Sequence, residues 1–412
     1  RCEDAPVDDA GWTVDLARLR DAQASLAGVV RRTPMAQSRA LEQLVGGPVW
    51  LKCENLQRTG SFKIRGAYLR IQRLSEQERA LGVVAASAGN HAQGVALAAG
   101  MLGCSATVFM PEGAALPKVQ ATRGYGADVR LVGADLTDSL AAASGFADAS
   151  GAVLIHPFDH PDVVAGQGTV GLEIVEQVPD VATVIVPTGG GGLLAGVAVA
   201  VKSLRPGAKV VGVQAEGAAA WPASLLAGKP VELPECQTIA DGIAVARPGE
   251  VPFELVTEHV DEILMVTEDA ISQALLHCLE RAKLVVEPAG AAGVAAMLTA
   301  PGRFTPPVVC VLSGGNVDPL QLVHVTQHGL AAASRYLSLR VRIADRPGAL
   351  AGLLALIGSL GANVVDVAHS RVSGALPLGE VDVALSLETR GEKHCTELVE
   401  ALSAAGHAVE LV

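Results

Sequence analysis

Residues 59–67 have the sequence TGSFKIRGA, which places one lysine, Lys63, among apolar and small residues. An ammonium group packed between Phe62 and Ile64 loses hydration, which disfavours its charged form and lowers the pKa of the amine. The neutral amine is the form that attacks an aldehyde to give a Schiff base. The stretch therefore indicates a reactive lysine, although most lysines in proteins are solvated surface charges.

Three further segments rich in small residues follow predicted strands. They are SAGNHAQG at residues 87–94, PTGGGGL at 187–193 and SGGN at 313–316. Open α/β sheets bind ligands outside the carboxyl ends of their strands, so these segments predict one site at such an edge. The tetraglycine alone also fits a flexible loop, but its position between a strand and an apolar helix favours an anion site.

Strand-like apolar runs alternate with helical segments over the first 320 residues. Strands are predicted at 49–52, 83–86, 106–110, 129–132, 183–186, 210–213 and 308–312. Helices are predicted at 16–29, from a cap at Ser61 or a neighbour through residue 67 to residue 74, and from the 87–94 segment to residue 99. This alternation predicts an α/β fold with a parallel sheet and helices on both faces.

The pattern changes after residue 320. Residues 321–335 are predicted to form a helical linker, and residues 336–412 a βαββαβ unit. Its strands are predicted at 337–343, 363–371, 381–387 and 408–412. One helix follows the turn DRPGAL at 345–350 and continues to residue 360, and the second covers 396–405.

In this order the segments resemble the fold-type-II pyridoxal-phosphate enzymes, and within them the threonine/serine dehydratases (threonine ammonia-lyases). Further matching stretches are PFD at 157–159, AGQGT at 165–169, TIADGIAV at 238–245 and VEPAGA at 286–291. The resemblance covers about residues 15–320. It implies a catalytic region at 13–320, with a smaller subdomain at about 52–160 inserted in the larger one. Residues 336–412 resemble the ACT domain, a small amino-acid-binding regulatory module.

The resemblance implies pyridoxal 5'-phosphate as cofactor and assigns residues to it. Lys63 would form the Schiff base and remove the substrate α-proton, and Phe62 would pack against the ring. Ser313 would bind the pyridine nitrogen as a neutral partner, and Asn90 the ring hydroxyl. The remaining cofactor residues would be Gly189, Gly190, Gly191, Gly192 and Leu193 around the phosphate, with Gly242 and Glu287 nearby.

The substrate carboxylate would be bound by the segment Ser87, Ala88, Gly89, Asn90 and His91, mainly through backbone N–H groups at a helix start. His91 is implied to position the substrate, with direct proton transfer as the alternative. Related serine racemases have a second serine where this chain has Ala88. Because alanine cannot transfer a proton, the sequence predicts dehydration without efficient racemisation.

The chain departs from its relatives at a divalent-cation site. Gln214 replaces a carboxylate there, and Ala220 offers no side-chain oxygen. Hard cations need several oxygen ligands, so no tight divalent metal site is expected, whereas a monovalent ion remains open. In the ACT-like unit the candidate contacts for a regulatory amino acid, isoleucine or valine, are Gly348, Leu350 and Asn363.

The bulk composition excludes several classes of protein. Lys and Arg number 31 and Asp and Glu 43, giving a net charge of −12 that disfavours nucleic-acid binding. No apolar run is long enough to cross a membrane, and the polar tail at residues 1–12 has no signal-peptide core. Seven widely spaced cysteines favour reduced thiols and a cytoplasmic location over disulfides or zinc.

The implied activity is β-elimination of L-threonine, and of L-serine, to 2-oxobutanoate or pyruvate and ammonia. Allosteric control by an amino acid and a homodimer or homotetramer are expected. One alternative is another pyridoxal-phosphate enzyme, a β-replacement enzyme or a lyase for other hydroxy amino acids. A second alternative is an amino-acid sensor whose catalysis is vestigial.

Overall fold

The computed structural model describes residues 13–370 and 378–412. The predicted tail at 1–12 and Arg371, the last residue of a predicted strand, lie outside these ranges. The chain divides into two compact units between Leu322 and Val323. Within the described ranges, no helix is both long and apolar enough to span a bilayer.

The helices of the first unit alternate with strands. The helices are α1 (Leu16–Ser25), α2 (Arg39–Val45), α3 (Lys63–Gln72), α4 (Glu76–Leu81), α5 (Asn90–Met101), α6 (Leu116–Gly124), α7 (Leu136–Ser150), α8 (Pro161–Gln177), α9 (Gly192–Leu204), α10 (Ala220–Ala227), α11 (Glu250–His259), α12 (Glu268–His277) and α13 (Pro288–Thr299). The strands are β1 (Met35–Gln37), β2 (Val49–Cys53), β3 (Val83–Ala86), β4 (Ala106–Met110), β5 (Asp128–Leu131), β6 (Val153–Leu154), β7 (Thr183–Pro187), β8 (Lys209–Ala215), β9 (Glu262–Val266) and β10 (Val308–Leu312). Helix α14 (Pro319–Ala332) connects the two units.

The first unit contains two sheets. The larger has the order β1-β2-β10-β7-β8-β9, with β1 antiparallel to β2 and the other neighbours parallel. The smaller is parallel, in the order β5-β4-β3-β6. The central strands are uninterrupted apolar runs, as expected where helices cover both faces. The predicted α/β class is confirmed.

Side chains on alternate faces of the large sheet contact different helices. Val184 and Val309 belong to the core that includes the residues of α8 and α9. The neighbouring Cys310 and Ile185 point to the other face, where both lie against Gly293 of α13. Since successive strand residues face opposite sides, α9 and α13 cover opposite faces of this sheet.

Helix α1 is shorter than predicted. It ends at Ser25 instead of Val29, because the chain turns there and Gly28 adopts a left-handed φ of 76°. Helix α3 begins at Lys63, next to the predicted cap region. Its N-cap is Phe62 and no side chain caps it. Ser61 does not serve as the cap because it is extended and forms a β-bridge with Gly314.

The second unit has the predicted βαββαβ order. Its elements are β11 (Tyr336–Ala344), α15 (Ala349–Ser359), β12 (Asn363–Ser370), β13 (Glu380–Glu388), α16 (Glu392–Ala404) and β14 (Ala408–Leu411). They form an antiparallel sheet in the order β12-β13-β11-β14. Helix α16 begins four residues before the predicted Thr396, directly after Gly391, which has a φ of 114°.

A cluster of buried charges joins three elements of the first unit. Arg65 of α3 donates to Glu54, at the end of β2, with 2.8 Å between Nη2 and Oε1, and to Glu173 of α8, with 2.7 Å between Nη1 and Oε1. Lys52 of β2 donates to the other oxygen of Glu173 at 2.5 Å and to Gln177 at 2.8 Å. All four charged side chains are buried. Such a group holds its elements in one arrangement, because removing any one charge leaves another buried without compensation.

We expect Glu173→Gln to lower the free energy of unfolding of the first unit by about 3–5 kcal/mol, because two buried cations would then share one carboxylate. Urea unfolding followed by tryptophan fluorescence measures this, since Trp50 and Trp221 both lie in the first unit. The control is Glu176→Gln in the same helix, whose ion pair with Arg32 is exposed. It should cost less than about 1 kcal/mol. Equal effects of the two substitutions would contradict the role of the cluster.

Candidate active site

Lys63 is the first residue of α3 and points toward the small sheet. Its Nζ donates to the carbonyl oxygen of Pro157 at 3.0 Å and lies 5.2 Å from the centroid of the Phe62 ring. Burial lowers the pKa of Lys63 to about 8, although the nearby Glu287 carboxylate acts in the opposite direction. A larger fraction of this amine than of an ordinary lysine is therefore uncharged near neutral pH, which favours Schiff-base chemistry.

The segment preceding α3 pairs with the loop that follows β10. Phe62 N donates to Ser313 O at 3.2 Å, and Gly315 N donates to Gly60 O at 2.9 Å. Ser61 and Gly314 form the bridge between these two bonds. The pairing places Ser313, which is buried at the carboxyl end of β10, beside Phe62.

The tetraglycine forms a narrow cradle between β7 and α9. Gly191 is the N-cap of α9 with a φ of 97°, and a Cβ there would lie 2.3 Å from Trp221. A Cβ at Gly190 would lie 2.5 Å from the ring of Phe158. The first N–H groups of α9, including those of Gly192 and Leu193, have no intrahelical partner and form the positive end of the helix dipole. Such a cradle can bind a phosphate.

A second group of predicted cofactor residues meets at Glu287. Asn90 Nδ2 donates to Glu287 Oε1 at 2.7 Å. A Cβ at Gly242 would lie 3.6 Å from the same oxygen, so this glycine is adjacent as well. Burial raises the pKa of Glu287 to about 7, with a further contribution from Asp241. Glu287 is thus poised to change charge near neutral pH.

The predicted substrate segment lies at the start of α5, where Gly89 is the N-cap. Ser87 Oγ accepts from Gly89 N at 3.2 Å, and residues 87–90 are half-buried. His91 is buried and its Nε2 lies 2.7 Å from the carbonyl oxygen of Ile155. Burial lowers the pKa of His91 to about 3, followed in effect by Lys63. A neutral ring donating to a backbone carbonyl positions the segment and is a poor proton donor to a substrate.

Three features of the site were not predicted from sequence. The Pro157 carbonyl binds the lysine amine, and Asn316 contacts Asn90. Lys118 and Asp241, 2.6 Å apart, bridge the cleft beside Ala88, where a cavity of about 430 Å³ opens. Asn316 belongs to the SGGN segment at residues 313–316, but its contact with Asn90, which the sequence does not show, is what indicates a role.

The predicted regulatory residues do not come together within one chain. Gly348 and Leu350 begin α15, just after the end of β11. Asn363 begins β12, and its cross-strand partner Glu388 also pairs with Tyr336, at the start of β11. These residues therefore lie at opposite ends of the sheet of the second unit.

The predicted departure at Gln214 has a structural counterpart. The Gln214 amide is buried; its Nε2 donates to Ala218 O and its Oε1 accepts from Trp221 N, both at 3.0 Å. The carbonyl oxygen of Ala218 therefore accepts a hydrogen bond from the Gln214 side chain. Throughout residues 13–370 and 378–412, no group of three or more His, Cys, Asp or Glu side chains could hold a metal ion.

The site fits an aldehyde that carries a phosphate. It combines a half-buried amine with a lowered pKa, a glycine cradle at a helix N-terminus and the hydrogen-bonded polar pair Asn90–Glu287. These residues stand at the carboxyl ends of strands from both sheets, the arrangement of a fold-type-II pyridoxal-phosphate enzyme. Comparison with known proteins agrees: the profile of the family "Pyridoxal-phosphate dependent enzyme" matches residues 26–314. The chain belongs to this family, and its cofactor is pyridoxal phosphate.

Similar proteins extend the match beyond the catalytic region. An L-threonine ammonia-lyase of Thermotoga maritima is 48% identical over 97% of this chain and 100% of its own length. Another, of Geobacter sulfurreducens, is 45% identical over 96% and 98%. Among solved structures, the processed form of threonine deaminase isoform 2 from Solanum lycopersicum has a TM-score of 0.72 at 36% identity, covering 79% of this chain and 98% of its own. Maize serine racemase has a TM-score of 0.72 at 37% identity, covering 77% and 98%.

We expect Lys63 of the cofactor-free protein to react with a trace of acetic anhydride with a midpoint near pH 8, because only the uncharged amine is acylated. Mass spectrometry of the labelled peptide across about pH 6–11 measures this midpoint. The internal standard is N-acetyl-lysine amide, whose side-chain amine has a pKa of about 10.4. Glu287→Gln should move the midpoint to lower pH, since the carboxylate raises the pKa of Lys63. Labelling of Lys63 in parallel with the standard would contradict the proposed environment.

Proposed function

We propose that this protein is an L-threonine ammonia-lyase that also accepts L-serine. It would convert threonine to 2-oxobutanoate and ammonia, and serine to pyruvate and ammonia. The observation that carries the proposal is the environment of Lys63, whose amine has a pKa of about 8. It donates to Pro157, whose neighbour Phe158 lies against the glycine cradle, and it is subject to the charge of Glu287, the partner of Asn90. Support comes from relatives of that name that match almost the whole chain.

Lys63 is the proposed base. Bound pyridoxal phosphate, held by the glycine cradle, Asn90 and Ser313, would supply a carbonyl for the substrate amino group and a ring that accepts electrons from the α-carbon. Lys63 Nζ would take the α-proton, and its lowered pKa matches a base that works near neutral pH. The β-hydroxyl would leave as water, with a proton that balances the one taken from the α-carbon, and hydrolysis of the released enamine would give the oxo acid and ammonia.

The start of α5 is the proposed site for the substrate carboxylate. The first N–H groups of this helix have no intrahelical partner, and the helix dipole favours an anion there. His91 would hold this segment through its bond to Ile155 O and stay neutral throughout. The carboxylate would thus be fixed at one end and the α-proton presented to Lys63.

Ala88 distinguishes this proposal from racemisation. Some similar structures are serine racemases, including the maize protein. Racemisation requires a proton donor on the face of the α-carbon opposite the lysine, and the methyl group of Ala88 has no proton to give. The proposed enzyme therefore eliminates and does not efficiently racemise.

We expect the cofactor-loaded protein to form 2-oxobutanoate from L-threonine, and Lys63→Ala to lower the rate at least about 10³-fold because the base is lost. Coupled assay of the oxo acid measures the rate, and chiral chromatography should find no D-threonine. Lys202→Ala is the control, since its amine pairs with Asp261 near the C-terminal end of α9, away from the glycine cradle. Full activity of Lys63→Ala, or a wild-type protein that retains its cofactor without turnover of threonine, would overturn the proposal.

We further propose that the second unit regulates the enzyme by binding a branched-chain amino acid, and that the enzyme works as a homodimer or homotetramer. Gly348 and Asn363 lie at opposite ends of one sheet, so a site that uses both needs two copies of the unit. The six described cysteines are free thiols, which supports a reducing, cytoplasmic setting.

We expect isoleucine or valine to change the threonine concentration that gives half-maximal rate, and Asn363→Ala to raise the effector concentration needed at least about tenfold by removing a polar contact. Basal activity should be unchanged. Rate measurements with and without effector, with light scattering for the oligomer, test this. Thr396→Ala in α16 is the control. A response identical in wild type and Asn363→Ala would remove Asn363 from the effector site.

A further inference from the structure

A relay of hydrogen bonds connects a backbone carbonyl to the buried carboxylate of the site. Asn316 Nδ2 donates to Thr59 O at 2.6 Å and to Asn90 Oδ1 at 2.7 Å. Asn90 Nδ2 then donates to Glu287 Oε1 at 2.7 Å. Two side-chain amides thus lie in series between two acceptors.

The polarity of this relay is fixed at the Thr59 end. A carbonyl oxygen only accepts, so Asn316 must turn its NH2 group toward Thr59. The same NH2 group faces Asn90, which must answer with its oxygen. The NH2 group of Asn90 is then directed away from Asn316, with one N–H on Glu287 and the second left for a ligand. Reversing either amide would place two oxygens or two NH2 groups against each other.

Two glycines make room for the relay. A Cβ at Gly60, which has a φ of 71°, would lie 2.4 Å from Asn316 Oδ1. A Cβ at Gly314 would lie 2.1 Å from Glu287 Oε1 and 3.1 Å from Asn90 Nδ2. The approaches to Asn316 and to Glu287 are shorter than any van der Waals contact. Only glycine therefore fits at residues 60 and 314 while the relay side chains keep these positions.

We propose that Asn316 is a positioning residue that fixes the Asn90 amide so that it presents an N–H, and not its oxygen, to the ring hydroxyl of the bound cofactor. A donor at that position favours the ionised form of the hydroxyl oxygen. Asn316 contacts Asn90 and Thr59, and its effect on the cofactor passes through Asn90. The inference rests on the proposed function only in placing the cofactor ring at Asn90; it holds whichever amino acid is the substrate.

A double-mutant cycle tests this because an effect transmitted through Asn90 vanishes once Asn90 is removed. The dissociation constant for pyridoxal phosphate is measured by absorbance titration of the cofactor-free protein. Asn316→Ala should weaken binding about tenfold in the wild-type background, as expected for loss of one hydrogen bond, and less than about twofold in the Asn90→Ala background. Asn316→Ala should shift the pH dependence of the visible absorbance band in the wild-type background, because the ring hydroxyl loses an oriented donor. In the Asn90→Ala background it should cause no further shift. Equal losses of affinity in both backgrounds would overturn the proposal.

Asn55→Ala is the matched control. Asn55 is a buried asparagine of the same region and donates to the backbone carbonyl of Val285 at 3.0 Å, but it is not a member of the relay. Its substitution should lower thermal stability and leave cofactor affinity within about twofold. If Asn316→Ala fails to fold, Asn316→Ser takes its place in the cycle. It should weaken cofactor binding more in the wild-type background than in the Asn90→Ala background. An unchanged affinity in a folded Asn316 variant would also refute the role.

The outcomes separate this inference from the proposed function. Cofactor affinity and absorbance do not depend on turnover, so a protein inactive on threonine can still show the coupling between Asn316 and Asn90. In that case the positioning role stands and the substrate assignment falls. Conversely, an active threonine ammonia-lyase without coupling would keep its function and lose this role for Asn316.

Discussion

The ion pairs of Arg65 constrain everything that surrounds the reactive lysine. Arg65 lies two residues after Lys63 in the same helix and is fully buried between Glu54 and Glu173. A guanidinium without carboxylates at that depth would be very costly, so the helix has essentially one position relative to β2 and α8. The backbone of the lysine is therefore placed by the ion pairs of Arg65, in the same turn of the helix, rather than by contacts of the lysine amine.

This arrangement explains how distant segments make one site. Helix α3 is held in place by two sets of contacts. Arg65 forms the buried ion pairs, and residues 60–62, just before the helix, pair with the loop that follows β10. The Pro157–Phe158 segment then joins the lysine to the phosphate cradle, because the carbonyl of one residue accepts from Lys63 while the ring of the next lies against Gly190. Electrostatic preorganisation of this kind costs nothing at the moment of reaction.

Much of the fold could be predicted because long apolar runs between glycine-rich loops have few alternatives. The strand at 308–312 was predicted to the residue, and the three loops follow strands as expected. The two-residue strand β6 and the extended conformation of Ser61 could not be predicted, since pairing with distant segments decides them. The resemblance of motifs located the site residues, but the direction of the Asn90 amide depends on a contact across 226 residues of sequence.

The same buried charges determine how the fold responds to acid. Burial alone would raise the pKa of Glu54, but the Arg65 guanidinium outweighs it and holds the pKa below its ordinary value. The stabilisation from this pair is complete above the pKa of an unfolded glutamate and is lost as the pH falls through the lower folded value. When that carboxylate is finally protonated, Arg65 is left charged and poorly compensated in the interior. Acidification would therefore destabilise the packing of helix α3, which carries Lys63, by removing a charge in the protein interior.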